Sequence, residues 1–189
     1  FNDQLEKVKS KLNQEKHKLL EASMEKGASN WLSCLPIAEY GFNLNKQEFR
    51  DAIKLRYGWS LTRLPTTCTC GFPFSVHHAM SCKLGGFIHS RHNEVRDITE
   101  NLLNEVCQDV SIEPVLQPLN GERMHYRTTN TREDARLDIS ARGFWQRGTR
   151  AFMDVRVFHP LALRLAGTTL KQSHHIHESE KRRAYNQRI

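Results

Sequence analysis

Two short segments each place one acidic residue among apolar neighbours, in the alternating pattern of a β-strand. The first is 135–140 and the second is 151–158, and their acidic residues are Asp138 and Asp154. Successive side chains of a strand point to opposite faces, so pairing of the two strands can bring both carboxylates to one side of a sheet. Two carboxylates at one place repel each other unless a cation lies between them, and Mg²⁺ prefers such oxygen ligands. The pattern predicts a metal-dependent phosphodiester nuclease, with Asp138 and Asp154 as ligands of the magnesium ion.

A second group of residues has the types that bind zinc. Cys68, Cys70 and Cys82 lie close in the sequence to a pair of histidines, His77 and His78. Zinc takes four nitrogen or sulfur ligands in a tetrahedron, which three cysteines and one histidine supply. His78 is four residues before Cys82, so the two share a helix face, whereas His77 is the alternative ligand and needs a longer reach. We expect a structural zinc site, since four protein ligands leave no position open for a substrate.

The composition favours a folded, basic protein with a polyanionic partner. The chain has 189 residues and a formal net charge of +7, with a pI near 9.3. Its five cysteines are an odd number without a secretory signal, which indicates metal binding and a reducing compartment, the cytosol or nucleus. No segment approaches the roughly 20 apolar residues of a membrane helix. The sequence begins at Phe1 and ends at Ile189 inside a helical pattern, which indicates a piece of a longer polypeptide.

The residues before the cysteine cluster, 1–66, are predicted to form a helical segment. Apolar residues at heptad-like spacing predict a helix over 3–26 that docks on a neighbouring domain rather than forming a coiled coil. Asn45 is a candidate N-cap for a further helix. Arg50 and Arg56 make that helix basic, so they are candidate contacts to a nucleic-acid backbone, although a solvated helix face is an equally good interpretation.

The acidic strands belong to a last unit, 90–189, which follows the zinc unit, 67–89. Its elements occur in the order helix, three strands, helix, which predicts an α+β fold. The predicted elements are a helix over 90–107 with a buried stripe of Val95, Ile98, Leu102 and Val106, strands over 111–117, 135–140 and 149–158, a polar loop over 120–134, and a helix from Glu178 to the end.

This αβββα order resembles the core of the PD-(D/E)XK nucleases, without the strand that follows the second helix. Asp138 matches the acidic residue of the second strand, and Asp154 with Arg156 matches the acidic residue and the basic residue of the third. In that family the first helix often supplies a glutamate that holds a ligand water or a second ion. The resemblance therefore implies Glu94 as a further catalytic residue.

Arg156 stands where those nucleases have a lysine. Arginine effectively cannot lose its proton, so Arg156 is suited to stabilise charge and poorly suited to act as a general base. The resemblance makes Lys181 on the last helix the candidate for the lysine role. Tyr185 lies four residues later on the same helix face and is a candidate contact to the same phosphate.

The run 85–97, after the zinc ligands, resembles the C-terminal region of non-long-terminal-repeat retrotransposon polyproteins that carry a restriction-like endonuclease. In that family a helical thumb-like segment, a CCHC zinc knuckle, an Arg-His-Asn type motif and two acidic strands follow the reverse transcriptase. The resemblance covers most of 29–189 and departs from the family at Leu137, where a proline often precedes the aspartate. The residues that it places near DNA or the catalytic centre are Arg91, His92, Asn93 and Arg96.

The family implies an endonuclease that nicks double-stranded target DNA in the nucleus. The exposed 3′ hydroxyl then primes reverse transcription of the element's RNA by a reverse transcriptase domain on the same longer chain. The implied cofactors are structural Zn²⁺ and catalytic Mg²⁺, and the implied partners are target DNA and element RNA, with no membrane. Two alternatives stay open: a DNA- or RNA-binding module that keeps the zinc site but has lost cleavage, and a structural domain with a buried pair of aspartates.

Overall fold

The chain folds as an α+β protein. A computed structural model describes residues 2–85, 87–117 and 135–185, so the predicted loop over 120–134 lies outside the described residues. In these ranges the helices are α1 (Asn2–Lys9), α2 (Gln14–Met24), α3 (Lys46–Tyr57), α4 (Val76–Ser81), α5 (Phe87–Val106) and α6 (Leu170–Tyr185), and the strands are β1 (Gln108–Ile112), β2 (Ile139–Arg142) and β3 (Arg150–Met153). None of the helices in these ranges is long and apolar enough to span a lipid bilayer.

The predicted order of helix, three strands and helix is present as α5-β1-β2-β3-α6. The strands form one antiparallel sheet in the order β1-β2-β3. All three are shorter than predicted: β1 ends at Ile112 rather than at 117, β2 begins at Ile139 rather than at 135, and β3 ends at Met153 rather than at 158. Leu103 of α5 packs on Ile139 and Ala141 of β2, which are fully buried. A second apolar cluster packs Leu137 with Tyr185 of α6. The helix before the strands and the helix after them thus each contribute a residue to one of the two apolar clusters.

The predicted buried stripe of α5 is wrong. Val95, Ile98, Leu102 and Val106 are 43% to 77% exposed, whereas Leu103 is 5% exposed. The helical period identifies which apolar residues share a face of the helix. Leu102 and Leu103 are adjacent in the sequence and therefore lie on different faces of α5. Contact with the sheet decides between the two faces, and this contact depends on strands that lie far away in the sequence.

The predicted helix over 3–26 is two helices. Asn13 interrupts it, because its side chain accepts a hydrogen bond from the Lys16 N–H at 2.9 Å and caps α2. Lys18 of α2 is buried, and its ammonium donates to the Leu165 carbonyl at 3.2 Å and to Thr168 Oγ1 at 3.3 Å. This helix therefore docks on the region before α6, as the docking interpretation predicts.

The last helix begins earlier than the predicted start at Glu178. Thr169 and Gln172 form a reciprocal cap, with Thr169 N–H donating to Gln172 Oε1 at 2.8 Å and Gln172 N–H donating to Thr169 Oγ1 at 3.2 Å. A threonine followed three residues later by glutamine is a sequence signature of a helix start. This signal could have placed the boundary from the sequence.

Arg56 connects α3 to the end of α2 and to the residues that follow it. Its guanidinium donates to the carbonyls of Ala28 and Ser23 at 3.0 Å and 2.8 Å, and to Ser29 Oγ at 2.6 Å. Asn45 is the N-cap of the same helix, as predicted, and forms a capping box with Glu48. The structure places Arg56 in contacts within the protein, whereas Arg50 is exposed on α3.

We expect Arg56→Ala to destabilise the protein by about 2 kcal/mol, since hydrogen bonds from a charged group are stronger than neutral ones. The exposed Arg50→Ala is the matched control and should change stability by less than about 0.5 kcal/mol. Urea unfolding followed by circular dichroism measures both. Equal stability of the two variants would show that the Arg56 contacts carry no net stabilisation.

Candidate active site and metal centre

Three cysteines and one histidine form a metal-binding cluster. One ligand atom each from Cys68, Cys70, His78 and Cys82 lie within 4.8 Å of one another. The sulfurs of Cys68 and Cys82 are 3.8 Å apart, and Cys70 Sγ is 3.1 Å from His78 Nε2. Zinc–sulfur bonds of about 2.3 Å in a tetrahedron place two sulfurs about 3.8 Å apart. The cluster is therefore close enough to bind a metal such as zinc.

Local hydrogen bonds hold the ligands of this cluster in place. Cys68 and Cys70 lie on a tight turn closed by the Gly71 N–H, which donates to the Cys68 carbonyl at 2.9 Å. Gly71 has φ of +85°, a conformation that other residues adopt at a cost. A backbone hydrogen bond at Cys70 lowers the pKa of the Cys68 thiol to about 6, although its burial acts in the opposite direction. A metal ligand must be a thiolate, so this hydrogen bond favours the binding form.

The choice between the two histidines is resolved in favour of His78. His78 lies on α4, and Cys82 lies one helical turn later, at the C-terminal end of that helix, as the spacing predicts. His77 points away from the cluster, with Nδ1 2.9 Å from His159 Nε2 and Nε2 3.3 Å from Glu15. His77 therefore joins the cysteine-rich unit to α2 and to the segment after β3.

The two predicted acidic residues lie side by side at one end of the β2–β3 pair. The register pairs Ile139 with Met153, so Asp138, before β2, faces Asp154, after β3. Asp138 N–H donates to the Met153 carbonyl at 3.1 Å, and Asp138 Oδ2 accepts from the Val155 N–H at 2.6 Å. The side chains are 15% and 16% exposed. The convergence expected from strand alternation is thus present in the structure.

Lys181 of α6 is the cation beside Asp154. Its ammonium lies 2.9 Å from Oδ1 and 2.7 Å from Oδ2. The contact between the ammonium and Oδ2 is an ion pair that lacks hydrogen-bond geometry. Oδ2 is buried and accepts no hydrogen bond from the described residues. Burial, together with the charge of Asp138, raises the pKa of Asp154 to about 6, although Lys181 opposes this shift. Lys181, the candidate for the lysine role in the resemblance, therefore lies next to the aspartate pair.

His92 of α5 is the partner of Asp138. Its Nε2 lies 3.2 Å from Asp138 Oδ1, and this contact raises the pKa of His92 against the effect of burial. Burial alone would raise the pKa of Asp138, but the hydrogen bond and charge of His92 lower it below its usual value. Asp138 is thus kept ionised, whereas Asp154 beside it takes up a proton more readily.

Arg156 and Tyr185, two other predicted catalytic residues, line the same cavity as the aspartates, but their polar groups have other partners. Arg156 Nη2 lies 3.6 Å from Glu180, not beside Asp154. Tyr185 is buried in the core, where its hydroxyl donates to the Arg136 carbonyl at 3.2 Å. Its ring also lies under the Lys181 ammonium, which is 5.6 Å from the ring centroid. Tyr185 thereby supports Lys181 rather than facing the groove with its hydroxyl.

Glu94 is exposed and does not line the groove that contains the aspartates. It lies two residues after His92, and two residues turn an α-helix by about 200°. Since His92 faces Asp138, Glu94 points to the opposite side of α5. The structure therefore does not bring Glu94 to the aspartate pair, where the resemblance places a glutamate.

The aspartates form the floor of a groove of 710 Å³ between the cysteine-rich unit and the sheet. Basic side chains line it and outnumber its acidic ones; they are Lys83, Arg91, Arg96, Arg136, Arg156, Arg164 and Lys181. Asn93 also lines the groove. Arg91 donates to the Met80 carbonyl at 2.9 Å and so ties α5 to the cysteine-rich unit. Of the predicted DNA contacts, Arg91, His92, Asn93 and Arg96 therefore lie along one groove, while Arg50 and Arg56 do not.

Sequence reasoning missed two parts of this groove. Glu113, directly after β1, accepts from Arg96 at 2.9 Å and lines the groove. Glu180 of α6 pairs with two arginines that line the groove, Arg156 at 3.6 Å and Arg164 at 3.4 Å. A single glutamate before a proline, or one within a charged helix, carries no sequence signal that separates it from a solvated residue.

Comparison with known proteins finds no relative of this chain. No protein-family model matches it, and neither a curated protein nor a solved structure shows significant similarity. The function is therefore argued from the geometry of the site.

Proposed function

We propose that this chain is the endonuclease region of a retroelement protein and cleaves DNA with the help of a divalent metal. The observation that carries the proposal is the aspartate pair with its two flanking residues. Asp138 and Asp154 face each other across two paired strands, with Lys181 2.7 Å from Asp154. The order α5-β1-β2-β3-α6 around them supports a PD-(D/E)XK-like core.

The donor set at the aspartates fits a hard divalent ion such as Mg²⁺. Both ligand candidates are carboxylates, and the Oδ2 atom of Asp154 is buried with no directed donor. A bound ion would neutralise the phosphate and lower the pKa of a bound water. Asp138 and Asp154 would hold the ion, His92 keeps Asp138 ionised, and Lys181 would supply a second positive charge for the phosphate.

The groove fits a nucleic-acid backbone. Its basic residues outnumber its acidic ones, and Arg91, Asn93 and Arg96 come from the same helix as His92. Phosphate contacts from such residues position a nucleic acid without reading its sequence. The substrate proposed from this charge distribution is double-stranded DNA, held with one phosphate over Asp138 and Asp154.

The resemblance to non-long-terminal-repeat elements supplies the cellular role in this proposal. The cysteine-rich unit is a zinc knuckle, since a Cys3His set is a typical zinc site. The nick made in nuclear target DNA primes reverse transcription of element RNA by a reverse transcriptase on the same longer polypeptide. These assignments rest on the Cys3His cluster and the 85–97 run in their order along the chain.

One observation favours the alternative of a binding module without cleavage. Lys181 and His92 already neutralise both carboxylates, and Arg156 is turned to Glu180. An aspartate pair that is satisfied in this way is also compatible with a purely structural role. Salt-sensitive DNA binding without any nicking is the result that this alternative predicts.

We expect the wild-type protein to nick supercoiled plasmid in Mg²⁺ and Asp138→Asn to lose at least about 100-fold of this activity. The substitution removes an anionic ligand while it keeps the shape of the side chain. Gel electrophoresis of nicked and supercoiled plasmid measures the rate. The matched control is Asp51→Asn on α3, whose carboxylate accepts from Gln47 at 2.8 Å and lies outside the groove. Nicking at the wild-type rate by Asp138→Asn would contradict the proposed site.

A further inference from the structure

The connection between β2 and β3 presents an exposed pair of aromatic rings. We call residues 143–149 the hairpin tip. Trp145 is 79% exposed and Phe144 is 40% exposed, and their rings meet edge to face with centroids 4.6 Å apart. A tryptophan this exposed forgoes much of the free energy that burial would provide, roughly 25 cal/mol per Å² of apolar surface. Its packing within the described residues therefore does not account for its position.

The backbone of the hairpin tip is well defined. Gly143 N–H donates to the Thr149 carbonyl at 2.8 Å, and Thr149 donates to the Gln146 carbonyl through both its N–H and its hydroxyl, at 3.1 Å and 2.9 Å. Gly143 and Gly148 have φ of +91° and +87°, which glycine adopts without strain. The aromatic pair is thus presented on an ordered turn, so little conformational entropy is lost when it binds a partner.

Positive charge surrounds the aromatic pair. Three exposed arginines flank it in the sequence: Arg142, Arg147 and Arg150. Asp109 pairs with two of them, Arg142 at 3.3 Å and Arg150. Three guanidinium groups against this carboxylate leave net positive charge beside two exposed rings. This combination of stacking surface and cations is suited to bases and phosphates.

The hairpin tip is connected to the candidate active site by the same two strands. It begins five residues after Asp138, which is roughly 17 Å along an extended strand. This span corresponds to about five base steps of about 3.4 Å along a nucleic-acid strand. A strand held over the aspartates can therefore extend along the hairpin to its tip.

We propose that the hairpin tip binds unpaired DNA, with a base stacked on Trp145 and neighbouring phosphates beside Arg142 and Arg147. Stacking needs a free face of a base, and in a continuous duplex both faces are already covered. The tip therefore favours single strands and junctions over uninterrupted duplex. This proposal deepens the proposed nuclease function by naming a feature of its substrate, and its binding step does not depend on cleavage.

The test measures DNA binding in the Asp138→Asn background without added Mg²⁺, so that cleavage plays no part. Fluorescence anisotropy of a labelled oligothymidylate, and of a blunt duplex of equal length, gives the dissociation constants. We expect Trp145→Ala to weaken oligothymidylate binding roughly tenfold and duplex binding much less. Trp145→Phe should retain most of the affinity because it keeps a stacking ring. Arg147→Ala should reduce the slope of log Kd against log salt by about 0.7.

Tyr40→Ala is the matched control, since Tyr40 is 68% exposed, pairs with Phe42 and lies in the helical segment. It should leave both dissociation constants unchanged, and circular dichroism should show all variants folded. Unchanged oligothymidylate binding by Trp145→Ala would overturn the proposal. It would also be overturned if Trp145→Ala abolished binding to phosphatidylserine-containing vesicles but left DNA binding intact. Failure of the plasmid-nicking test leaves this binding test unaffected, so the two proposals can fail separately.

Discussion

Cys82→Ser is expected to release the bound metal and to unfold residues 67–85. Cys68 and Cys82, two of the ligands, are the only buried residues in this range. A segment with so little buried apolar surface cannot offset the conformational entropy of its ordering, which is about 1–2 kcal/mol per residue for the backbone. Structural zinc provides roughly 10–16 kcal/mol of apparent binding free energy to small domains of this kind. A metal held by these four ligands would therefore supply most of the stability of the cysteine-rich unit.

Two measurements check this prediction. Elemental analysis should find close to one zinc per wild-type chain and far less in Cys82→Ser. Hydrogen–deuterium exchange should show residues 67–85 losing protection in the variant, or in the wild type after chelation, while the β2 amides stay protected. The groove wall should open as well, because Arg91 loses its acceptor, the Met80 carbonyl.

The matched control for this prediction is Cys34→Ser. Cys34 is an exposed free cysteine outside the cluster, so its replacement should change neither zinc content nor exchange. Full zinc content together with unchanged protection in Cys82→Ser would rule out the assigned ligands. His77→Ala should keep the metal, since His77 contacts His159 and Glu15 instead of the sulfurs.

Lys181→Met is expected to destabilise the protein by about 3 kcal/mol near neutral pH. It leaves the mostly buried Asp154 beside Asp138 without its cationic partner. Removing one member of a buried ion pair leaves the other charge uncompensated, which costs far more than loss of a surface pair. The pKa of Asp154, already raised to about 6 by burial, is expected to rise further.

The loss of stability should depend on pH with a definite sign. A carboxyl whose pKa is higher in the folded state than in the unfolded state makes the folded chain bind more protons. The free energy of unfolding then falls as pH rises through the folded-state pKa. Lys181→Met should therefore lie closest to the wild type at about pH 5 and furthest below it at about pH 8. Urea unfolding at both pH values measures the difference.

Arg182→Met is the matched control for Lys181. Arg182 is the next residue of α6, its side chain is 70% exposed, and it pairs with Glu178 at 2.6 Å within the helix. Such surface pairs contribute about 0.3–0.5 kcal/mol, so the control should show a small effect at both pH values. Lys181→Arg should retain most of the stability because it keeps a cation. A pH-independent loss in Lys181→Met would contradict the ion-pair explanation.

Local sequence rules predicted the parts of this protein that depend on neighbours in the chain. His78 and Cys82 are one helical turn apart, Asn45 caps α3, and the alternation around Asp138 places Leu137 and Ile139 in the core. In each case a few consecutive residues contain the whole interaction. Their geometry follows from helix or strand periodicity alone.

The tertiary structure decided which distant groups meet. The register of β2 with β3 places Asp138 opposite Asp154, and α6 brings Lys181 to the second of these. The sequence predicted an apolar face for α5 but not that Leu103, rather than Leu102, would contact the sheet. The resemblance placed both His92 and Glu94 near the site, and the rotation of α5 presents only His92 to Asp138. A periodic pattern defines the faces of one element, but which face is covered depends on packing between elements that are remote in the chain.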